Sequence, residues 1–119
     1  MPLVRITLVE GRSEADRCQI GDAVHRALVE TMEVLEHDRF QIIERLPTGS
    51  IIRAEEAPSV TRTDALVIIQ ITLNRGRTSA MKRCFFERAA ALLWESVQLR
   101  SEDIFIGLVE VDPDNWFVP

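Results

Sequence analysis

The chain contains one pattern of residues written twice. Residues 71–78 read ITLNRGRT, and residues 6–13 read ITLVEGRS. The separation is 65 positions, that of Gly11 and Gly76, and it holds without a gap well beyond these stretches. Further identical pairs at this separation are Leu28 and Leu93, Glu30 and Glu95, Asp38 and Asp103, and Phe40 and Phe105. A duplicated unit predicts a fold of two similar halves, with function located where the halves differ.

Each unit reads as strand, helix and strand. Val4, Ile6 and Leu8 alternate with polar residues, which predicts a half-buried strand. Ser13 and Thr78 follow glycine turns and are good helix N-caps. The predicted elements are strands 3–9, 39–46, 66–73 and 104–111, a helix from 14 to between 33 and 37, and a helix over 79–98.

We therefore predict a single domain over 1–119. Its parts are repeat 1 at about 2–46, a loop at 47–65, repeat 2 at about 66–111 and a tail at 112–119. Within the loop, which contains Pro58, Ile51 and Ile52 are candidates for a short edge strand.

The predicted fold class is α/β (α+β): duplicated β-α-β units that form one four-stranded sheet with both helices on one face. A helical crossover makes the two strands of each unit parallel. The other sheet face is then uncovered, although we expect it to carry apolar side chains such as Ile68 and Ile106. Because such a face is usually covered, we predict a homo-oligomer.

Composition narrows the possible partners. The 119 residues are 46% hydrophobic and carry a formal net charge of −5, which disfavours nucleic acid and anionic membranes as partners. No run of apolar residues is long enough to span a bilayer and no secretory signal is evident, so we expect a cytoplasmic protein. Cys18 and Cys84 are interpreted as reduced packing thiols, with a disulfide or a reactive thiol as alternatives.

The glycine turns of the two repeats differ in the sign of the charge at one position. Glu10-Gly11-Arg12 in the first repeat corresponds to Arg75-Gly76-Arg77 in the second. Two guanidinium groups at a helix N-terminus favour an anion, and their fork geometry suits a carboxylate. Arg75 and Arg77 are therefore candidate carboxylate-binding residues, and the alternative is a solvated turn with two surface arginines.

Pro2 is the second candidate. If Met1 is removed, the Pro2 nitrogen becomes a secondary amine at the end of a core strand. A model α-amino group titrates at about 7.7–8.0, so such an amine can act as a general acid or base near neutral pH. The alternative is an ordinary proline, since this residue is common in proteins.

Four other residues are further candidates for the site or its surroundings. Asp38 lies just before the second strand and could assist Pro2, although its repeat mate Asp103 favours a shared structural role. His25 is predicted to be a surface or boundary residue, because His25 and His37 lack metal-ligand spacing. Trp116 and Phe117 form either a pocket wall or a subunit contact. We predict no metal and no cofactor.

Taken together, these residues resemble the tautomerase superfamily, and more closely its malonate semialdehyde decarboxylase-like branch. The resemblance covers nearly the whole chain. Its stretches are Pro2-Leu3, Leu8-Val9-Glu10-Gly11-Arg12-Ser13, Asp22-Ala23-Val24-His25, Asp38-Arg39-Phe40-Gln41, Arg75-x-Arg77, and Leu108-Val109-Glu110 followed by Trp116. The chain departs from that branch at Gly76, where the decarboxylase has proline. It departs again after Trp116, where the branch continues with serine, phenylalanine and glycine.

The resemblance implies a homotrimeric enzyme in which Pro2 is the catalytic acid or base, Asp38 assists it, and Arg75 and Arg77 hold a substrate carboxylate. The implied reaction is decarboxylation or hydration of a small 3-oxo acid such as malonate semialdehyde. Keto–enol tautomerisation of a 2-oxo acid such as phenylpyruvate is one alternative. A non-catalytic oligomer that binds an anion at the same arginines, or a purely structural interaction protein, are the others.

Overall fold

A computed structural model of the chain describes residues 1–54 and 60–119. Its elements are β1 (Leu3–Val9), α1 (Glu14–Thr31), β2 (Phe40–Leu46), β3 (Val67–Asn74), α2 (Ser79–Val97) and β4 (Ile104–Val111), with 3-10 turns at Ser101–Asp103 and Pro113–Asn115. The two helices and four strands confirm the predicted fold class. Residues 55–59, which include Pro58 of the predicted loop, lie outside the described part of the chain.

The four strands form one mixed sheet in the order β2-β1-β3-β4. Within each repeat the two strands are parallel, and the central β1–β3 pair is antiparallel. In that central pair Arg5 lies opposite Gln70, its own repeat mate. An approximate two-fold axis therefore passes between these residues and relates the two halves.

Both helices start at the residues that their predicted N-caps, Ser13 and Thr78, indicate. The hydroxyl oxygen of Ser13 accepts the Asp16 N–H at 3.0 Å, and that of Thr78 accepts the Met81 N–H at 3.1 Å. Each bond satisfies one of the N–H groups that a helix start leaves free. α1 ends at Thr31, earlier than predicted, because the chain turns at Met32 and Glu33 adopts a positive φ of 57°.

The helices pack on one face of the sheet and form the core there. Val4, Ile6 and Leu8 of β1 and Ile69 and Ile71 of β3 are almost completely buried beneath α1 and α2. On β4 the residues on this face are Ile104, Ile106 and Leu108, which pack partly buried against the core. The prediction that Ile106 lies on the open face was wrong, since Ile106 is opposite the buried Ile69 in the β3–β4 register.

The opposite face of the sheet is uncovered in one chain, as predicted. Its exposed apolar residues are Phe40 and Ile42 of β2 and Phe105 and Val109 of β4. The sheet therefore presents a half-apolar surface that needs a partner to be buried.

Two smaller predictions were wrong. Ile51 and Ile52 are not in a strand; they follow a turn in which the Ser50 N–H donates to the Pro47 carbonyl. Cys18 and Cys84 are free thiols, but they are exposed on the outer surfaces of the helices rather than packed. Among the described residues, no helix combines the length and apolar character needed to cross a membrane.

Candidate active site

Strand directions bring the candidate residues to one edge of the sheet. Leu3 at the start of β1 lies opposite Phe40 at the start of β2 and Thr72 near the end of β3. Asn74 at the end of β3 lies opposite Val111 at the end of β4. Because two strands begin and two end here, the segments just beyond them, which carry Pro2, Asp38, Arg75 and Trp116, meet at this edge.

Pro2 is buried and lines a small apolar cavity at this edge. The cavity has a volume of about 120 Å³ and is lined by Met1, Pro2, Leu3, Phe40, Trp116 and Val118. Arg75 and Arg77 lie near this edge but outside the lining. The lining is nearly all apolar in the described part of the chain, so it would solvate a charge on the Pro2 nitrogen poorly.

Asp38 is the acidic residue beside the chain start. Its Oδ2 lies 3.7 Å from the amino-terminal nitrogen of Met1, and its side chain is 22% exposed. Its Oδ1 is buried and has no hydrogen-bond partner in residues 1–54 and 60–119. A buried carboxylate oxygen without a partner is costly, which makes this atom a feature that needs an explanation.

Arg75 leads the turn after β3 and is held at its backbone. Its N–H donates to the carbonyl of Val111 at 3.0 Å, which extends the β3–β4 ladder by one bond. Its guanidinium Nε lies 2.6 Å from Oδ1 of Asp112, and the two side chains are 63% and 60% exposed. The charge of Arg75 is thus presented to solvent with one carboxylate already beside it.

Arg77 is half-buried and bonds to two backbone carbonyls. Its Nε donates to the Met32 carbonyl at 2.9 Å, and its Nη1 donates to the Asn74 carbonyl at 3.0 Å. The first bond ties the end of α1 to the turn that starts α2. Arg77 therefore has a structural role in addition to any role with a substrate, whereas the bonds of Arg75 leave its guanidinium on the surface.

The arginine turn depends on Gly76 and Glu110. Gly76 has a φ of 124°, a conformation that L side chains rarely adopt. Glu110 accepts from Lys82 Nζ at 2.8 Å. The hydrogen bond from Lys82 is the main cause that lowers the pKa of Glu110. The charge of Arg75 and the Gly76 N–H lower it further, and partial burial opposes them. Glu110 is therefore an ionised side chain that faces the turn.

The aromatic residues of the tail are separated. The Trp116 Nε1–H donates to Asn74 Oδ1 at 2.7 Å, and the ring lines the cavity. Phe117 points to solvent and is 91% exposed, and Val118 lines the cavity instead. Within one chain, then, only Trp116 of the two aromatic candidates reaches the cavity.

Sequence reasoning missed Asn74 and Asp112. Asn74 binds both Trp116 and Arg77, and Asp112 pairs with Arg75. Their positions could have indicated them, because Asn74 ends β3 and Asp112 directly follows β4, at the edge of the sheet that carries the arginines.

His25 differs from its prediction as a surface or boundary residue. It is only 7% exposed, and its Nε2 lies 2.7 Å from the carbonyl oxygen of Glu36. The segment that follows α1 folds back over the helix and covers the ring, which periodicity in the helix alone does not reveal.

Two sequence families match this chain. The profile of a family described as tautomerase enzyme matches residues 38–118, and a second profile with the same description matches residues 2–60. The curated relative "probable tautomerase YusQ" of Bacillus subtilis (strain 168) is 31% identical over 116 residues, which cover 98% of this chain and 91% of the relative. The chain belongs to the tautomerase superfamily, and it is an enzyme of that superfamily.

Solved structures agree with this assignment. Malonate semialdehyde decarboxylase FG41, inhibited by 3-bromopropiolate, superposes with a TM-score of 0.91 at 33% identity, over 98% of this chain and 88% of that chain. A fused 4-OT, described as a symmetric trimer, superposes with a TM-score of 0.81 at 17% identity, over 98% of this chain and 90% of that chain. The first comparison supports the resemblance to the decarboxylase-like branch, and the second shows the shared fold.

Proposed function

We propose that the chain, once Met1 has been removed, uses the Pro2 nitrogen as the acid or base in a reaction of a small oxo acid. The favoured reaction is decarboxylation, with hydration as a related activity, of a 3-oxo acid such as malonate semialdehyde. Asp38 assists Pro2, and Arg75 and Arg77 hold the substrate carboxylate.

The observation that carries the proposal is the unpaired Asp38 oxygen beside the chain start. The Met1 nitrogen lies 3.7 Å from Asp38 Oδ2, while Oδ1 is buried without a partner in the described residues. Removal of Met1 moves the terminal charge to Pro2, which is itself buried at the cavity. A nearby carboxylate favours the charged form of an amine, so the Pro2 nitrogen would act as an acid.

The arginines supply the second half of the site. Arg77 has used Nε and Nη1 for backbone carbonyls, which fixes its guanidinium and leaves Nη2 for a ligand. Arg75 is exposed and free to exchange Asp112 for a substrate carboxylate, since exposed ion pairs are weak. Trp116 and Phe117 are proposed as substrate contacts, Trp116 from its own cavity and Phe117 through a neighbouring subunit.

In the proposed decarboxylation, the charged Pro2 nitrogen donates a hydrogen bond to the aldehyde oxygen of malonate semialdehyde. The bond between the carboxylate carbon and the methylene carbon breaks, and carbon dioxide leaves. The electron pair of that bond forms an enolate, which the polarised oxygen stabilises. The charged Pro2 nitrogen then gives its proton to the methylene carbon, which yields acetaldehyde. The neutral nitrogen takes up a proton from solvent before the next turnover, so atoms and charge balance.

A second candidate is keto–enol tautomerisation of a 2-oxo acid such as phenylpyruvate. It is favoured by the description of the matching family as tautomerase enzymes. Here a neutral Pro2 nitrogen removes the proton beside the carbonyl and returns it to oxygen. The two reactions therefore need opposite protonation states of one nitrogen.

The test begins with intact mass spectrometry, which shows whether Met1 is absent. The mature protein and its Pro2→Ala variant are then assayed with malonate semialdehyde and with phenylpyruvate over a range of pH. We expect the variant to lose about 100-fold in kcat, within the usual range for a general acid or base. Turnover of malonate semialdehyde that falls as pH rises identifies the acid role, and turnover of phenylpyruvate that rises identifies the base role.

Pro47→Ala is the matched control, since Pro47 is an exposed proline in a turn away from the site. It should leave both activities unchanged. Equal turnover by Pro2→Ala and the unmodified sequence would contradict the proposed role of the nitrogen. If neither substrate is turned over but both bind, the alternative of a non-catalytic anion-binding oligomer is supported.

We also propose that the chain assembles as a homotrimer. The exposed residues Phe40, Ile42, Phe105 and Val109 give the open sheet face an apolar character. The fused 4-OT with the same fold is described as a trimer. Sedimentation should give the mass of three chains, and a charged substitution on this face, Phe105→Glu, should reduce it to that of one chain.

A further inference from the structure

His25, the buried histidine of α1, has no part in the proposed chemistry, but its side chain contacts the segment that leads to Asp38. His25 Nε2 lies 2.7 Å from the Glu36 carbonyl oxygen. Because a carbonyl can only accept, Nε2 carries the hydrogen and donates it. The bond joins the middle of α1 to a segment that otherwise has few regular hydrogen bonds.

That segment is the turn that carries Asp38. The Asp38 N–H donates to the Leu35 carbonyl at 3.0 Å, so Glu36 and His37 form the body of the turn. The bond from His25 reaches the turn two residues before Asp38. A displacement of the Glu36 carbonyl would therefore move the backbone of Asp38 directly.

The same face of α1 also fixes the chain after Asp38. Arg39 Nη2 lies 2.8 Å from Asp22 Oδ1, and the Gln41 amide donates to the Gly21 carbonyl at 2.8 Å. The approach is close, since a Cβ on Gly21 would lie 2.6 Å from Gln41 Oε1. Asp38 is thus bracketed by contacts with one stretch of α1, of which the bond from His25 is the one made by a buried side chain.

Asp38 requires this support because its carboxylate makes few contacts with the described residues that could hold it in place. Its Oδ1 has no hydrogen-bond partner in the described residues, and its Oδ2 is 3.7 Å from the terminal nitrogen. A carboxylate in this situation lowers its free energy by rotating or moving toward water. Its position beside the chain start must therefore come from the backbone that carries it.

We propose that His25 is the positioning residue of the site: through its hydrogen bond to the Glu36 carbonyl it holds the turn that places Asp38 beside the Pro2 nitrogen. The proposal rests on the proposed function for its kinetic consequences. It does not rest on it for its structural ones, which are measured separately.

The kinetic experiment compares two substitutions that differ in one donor. His25→Leu removes the hydrogen bond and keeps an apolar side chain in the buried site. His25→Gln can still donate an amide N–H over a similar reach. With malonate semialdehyde we expect His25→Leu to lower kcat about 10-fold with KM within about 2-fold, and His25→Gln to restore most of that loss.

A double substitution tests whether the effect passes through Asp38. If His25 acts by placing Asp38, the loss caused by His25→Leu disappears in an Asp38→Asn background, because the two residues act as a unit. His37→Leu is the matched control: the same change of residue type, in the same turn, at an exposed side chain. It should leave kcat unchanged.

Amide hydrogen exchange measures the positioning without any substrate. His25→Leu should speed exchange of the Asp38 amide at least 10-fold while the core amides of β1 and β3 keep their rates. If the Leu variant does not fold, His25→Met is measured instead. A loss of turnover in Pro2→Ala together with unchanged exchange in His25→Leu would overturn this proposal alone.

Three results contradict the positioning role. They are equal kcat for His25→Leu and the unmodified sequence, equal impairment by the Leu and Gln variants, and losses that multiply in the Asp38→Asn background. Faster Asp38 exchange in a protein that turns over no oxo acid would instead support the positioning role and count against the proposed function.

Discussion

The two aspartates of the repeat occupy the same place in each half and have opposite surroundings. Asp103 is 1% exposed and accepts the Thr63 N–H at 2.6 Å, the Thr63 hydroxyl at 2.7 Å and the Arg100 Nε at 3.3 Å. Asp38 has one oxygen that is buried without a partner in the described residues. Asp103 is thus fully hydrogen-bonded within the fold, whereas its equivalent, Asp38, keeps an oxygen that can interact with another group.

The cause of the difference is chain connectivity. In the second half the chain enters β3 from the residues before it, and Thr63 of that entry segment saturates Asp103. In the first half, Asp38 Oδ1 has no hydrogen-bond partner among the described residues, and the Met1 nitrogen lies 3.7 Å from Oδ2. The asymmetry therefore comes from Thr63, which lies in the segment before β3 and donates twice to Asp103.

The two turns show the same division. The Glu10 N–H donates to the Leu46 carbonyl at 2.8 Å, as the Arg75 N–H does to Val111. Their backbones are therefore equivalent, while their side chains carry opposite charges. Because the antiparallel β1–β3 pair puts the two turns at opposite ends of the sheet, only the turn with Arg75 lies at the end where Pro2 is found.

The largest effect should come from Asp38→Asn. We expect kcat for malonate semialdehyde to fall about 100-fold, because the amide is neutral and no longer favours the charged Pro2 nitrogen. The free energy of unfolding should change by less than about 1 kcal/mol, since Oδ1 makes no hydrogen bond that could be lost. Steady-state kinetics and urea unfolding of the same preparation measure both quantities.

The comparison with Asp103 breaks down if Asp38→Asn destabilises the protein as much as the equivalent change in the other half. It also breaks down if kcat is unchanged while the protein stays folded. The first outcome would show that both aspartates are structural, and the second that Asp38 has no part in the reaction.

Asp103→Asn should have the reverse effect. The amide group would face the donors of Thr63 and leave buried groups unpaired, so we expect a loss of about 3 kcal/mol in the free energy of unfolding. The value of kcat should stay within about 2-fold. Asp64→Asn is the control, since Asp64 is exposed and pairs with Arg53 at 3.3 Å, and its change should be near zero.

Acid should reduce the difference between Asp103→Asn and the unmodified sequence. Burial raises the pKa of Asp103, but the hydrogen bonds from Thr63 and Arg100 lower it by more, so its pKa in the folded protein lies below the ordinary value. A group with a lowered folded pKa adds stability above its unfolded pKa of about 3.9 and loses it as pH falls through the folded pKa. The deficit of the variant should therefore shrink below about pH 4, and a deficit that grows in acid would exclude this explanation.

The strands and helices could be predicted from the sequence because patterns within each element determine them. The alternation of apolar and polar residues predicts β1, and the N-cap residues Ser13 and Thr78 predict where the helices start. The 65-residue repeat means that the elements predicted in one half also predict those of the other. The edge that gathers the site also follows from these elements, once the strands of each half are parallel and the halves are antiparallel.

The contacts within the site depend on packing between distant segments. The Trp116–Asn74 bond joins residues 42 positions apart, and the Arg77–Met32 bond joins residues 45 apart. The burial of His25 depends on the path of the chain after α1. No periodicity within one element carries this information, and the outward direction of Phe117 is equally invisible in the composition of the tail.

The two arginines should separate binding from stability. Arg75→Ala should raise KM about 10-fold, because a hydrogen bond to a charged group is lost, and change the unfolding free energy by less than about 0.5 kcal/mol, because its pair with Asp112 is exposed. Arg77→Ala should raise KM and also cost about 1–2 kcal/mol, because the Met32 and Asn74 carbonyls lose their donor.

Arg12→Ala is the matched control from the other half, where the guanidinium lies 3.6 Å from Asp16. It should leave KM unchanged and cost less than about 1 kcal/mol, since among the described residues its guanidinium makes an ion pair but donates to no backbone carbonyl. If Arg77→Ala affects stability alone, the carboxylate is held by Arg75 without it, and the second turn is a scaffold with one functional side chain.

The smallest effect compares the two glycines. Gly11 and Gly76 have φ values of 128° and 124°, and a Cβ added to either meets no atom within 4 Å among the described residues. The cost of alanine at each is then backbone strain alone, about 1–3 kcal/mol, and should be equal at the two positions. Thermal unfolding of Gly11→Ala and Gly76→Ala measures it.

Function should distinguish the two glycines even though stability does not. Gly76→Ala shifts the backbone that carries Arg75 and Arg77 and should raise KM for malonate semialdehyde a few-fold, whereas Gly11→Ala at the far end of the sheet should not. Equal KM values for the two variants would mean that the arginine turn tolerates strain without moving its side chains. Unequal stability losses would mean that the turns are not equivalent in energy despite their matching backbones, because the link between Lys82, Glu110 and the Gly76 N–H supports one turn and not the other.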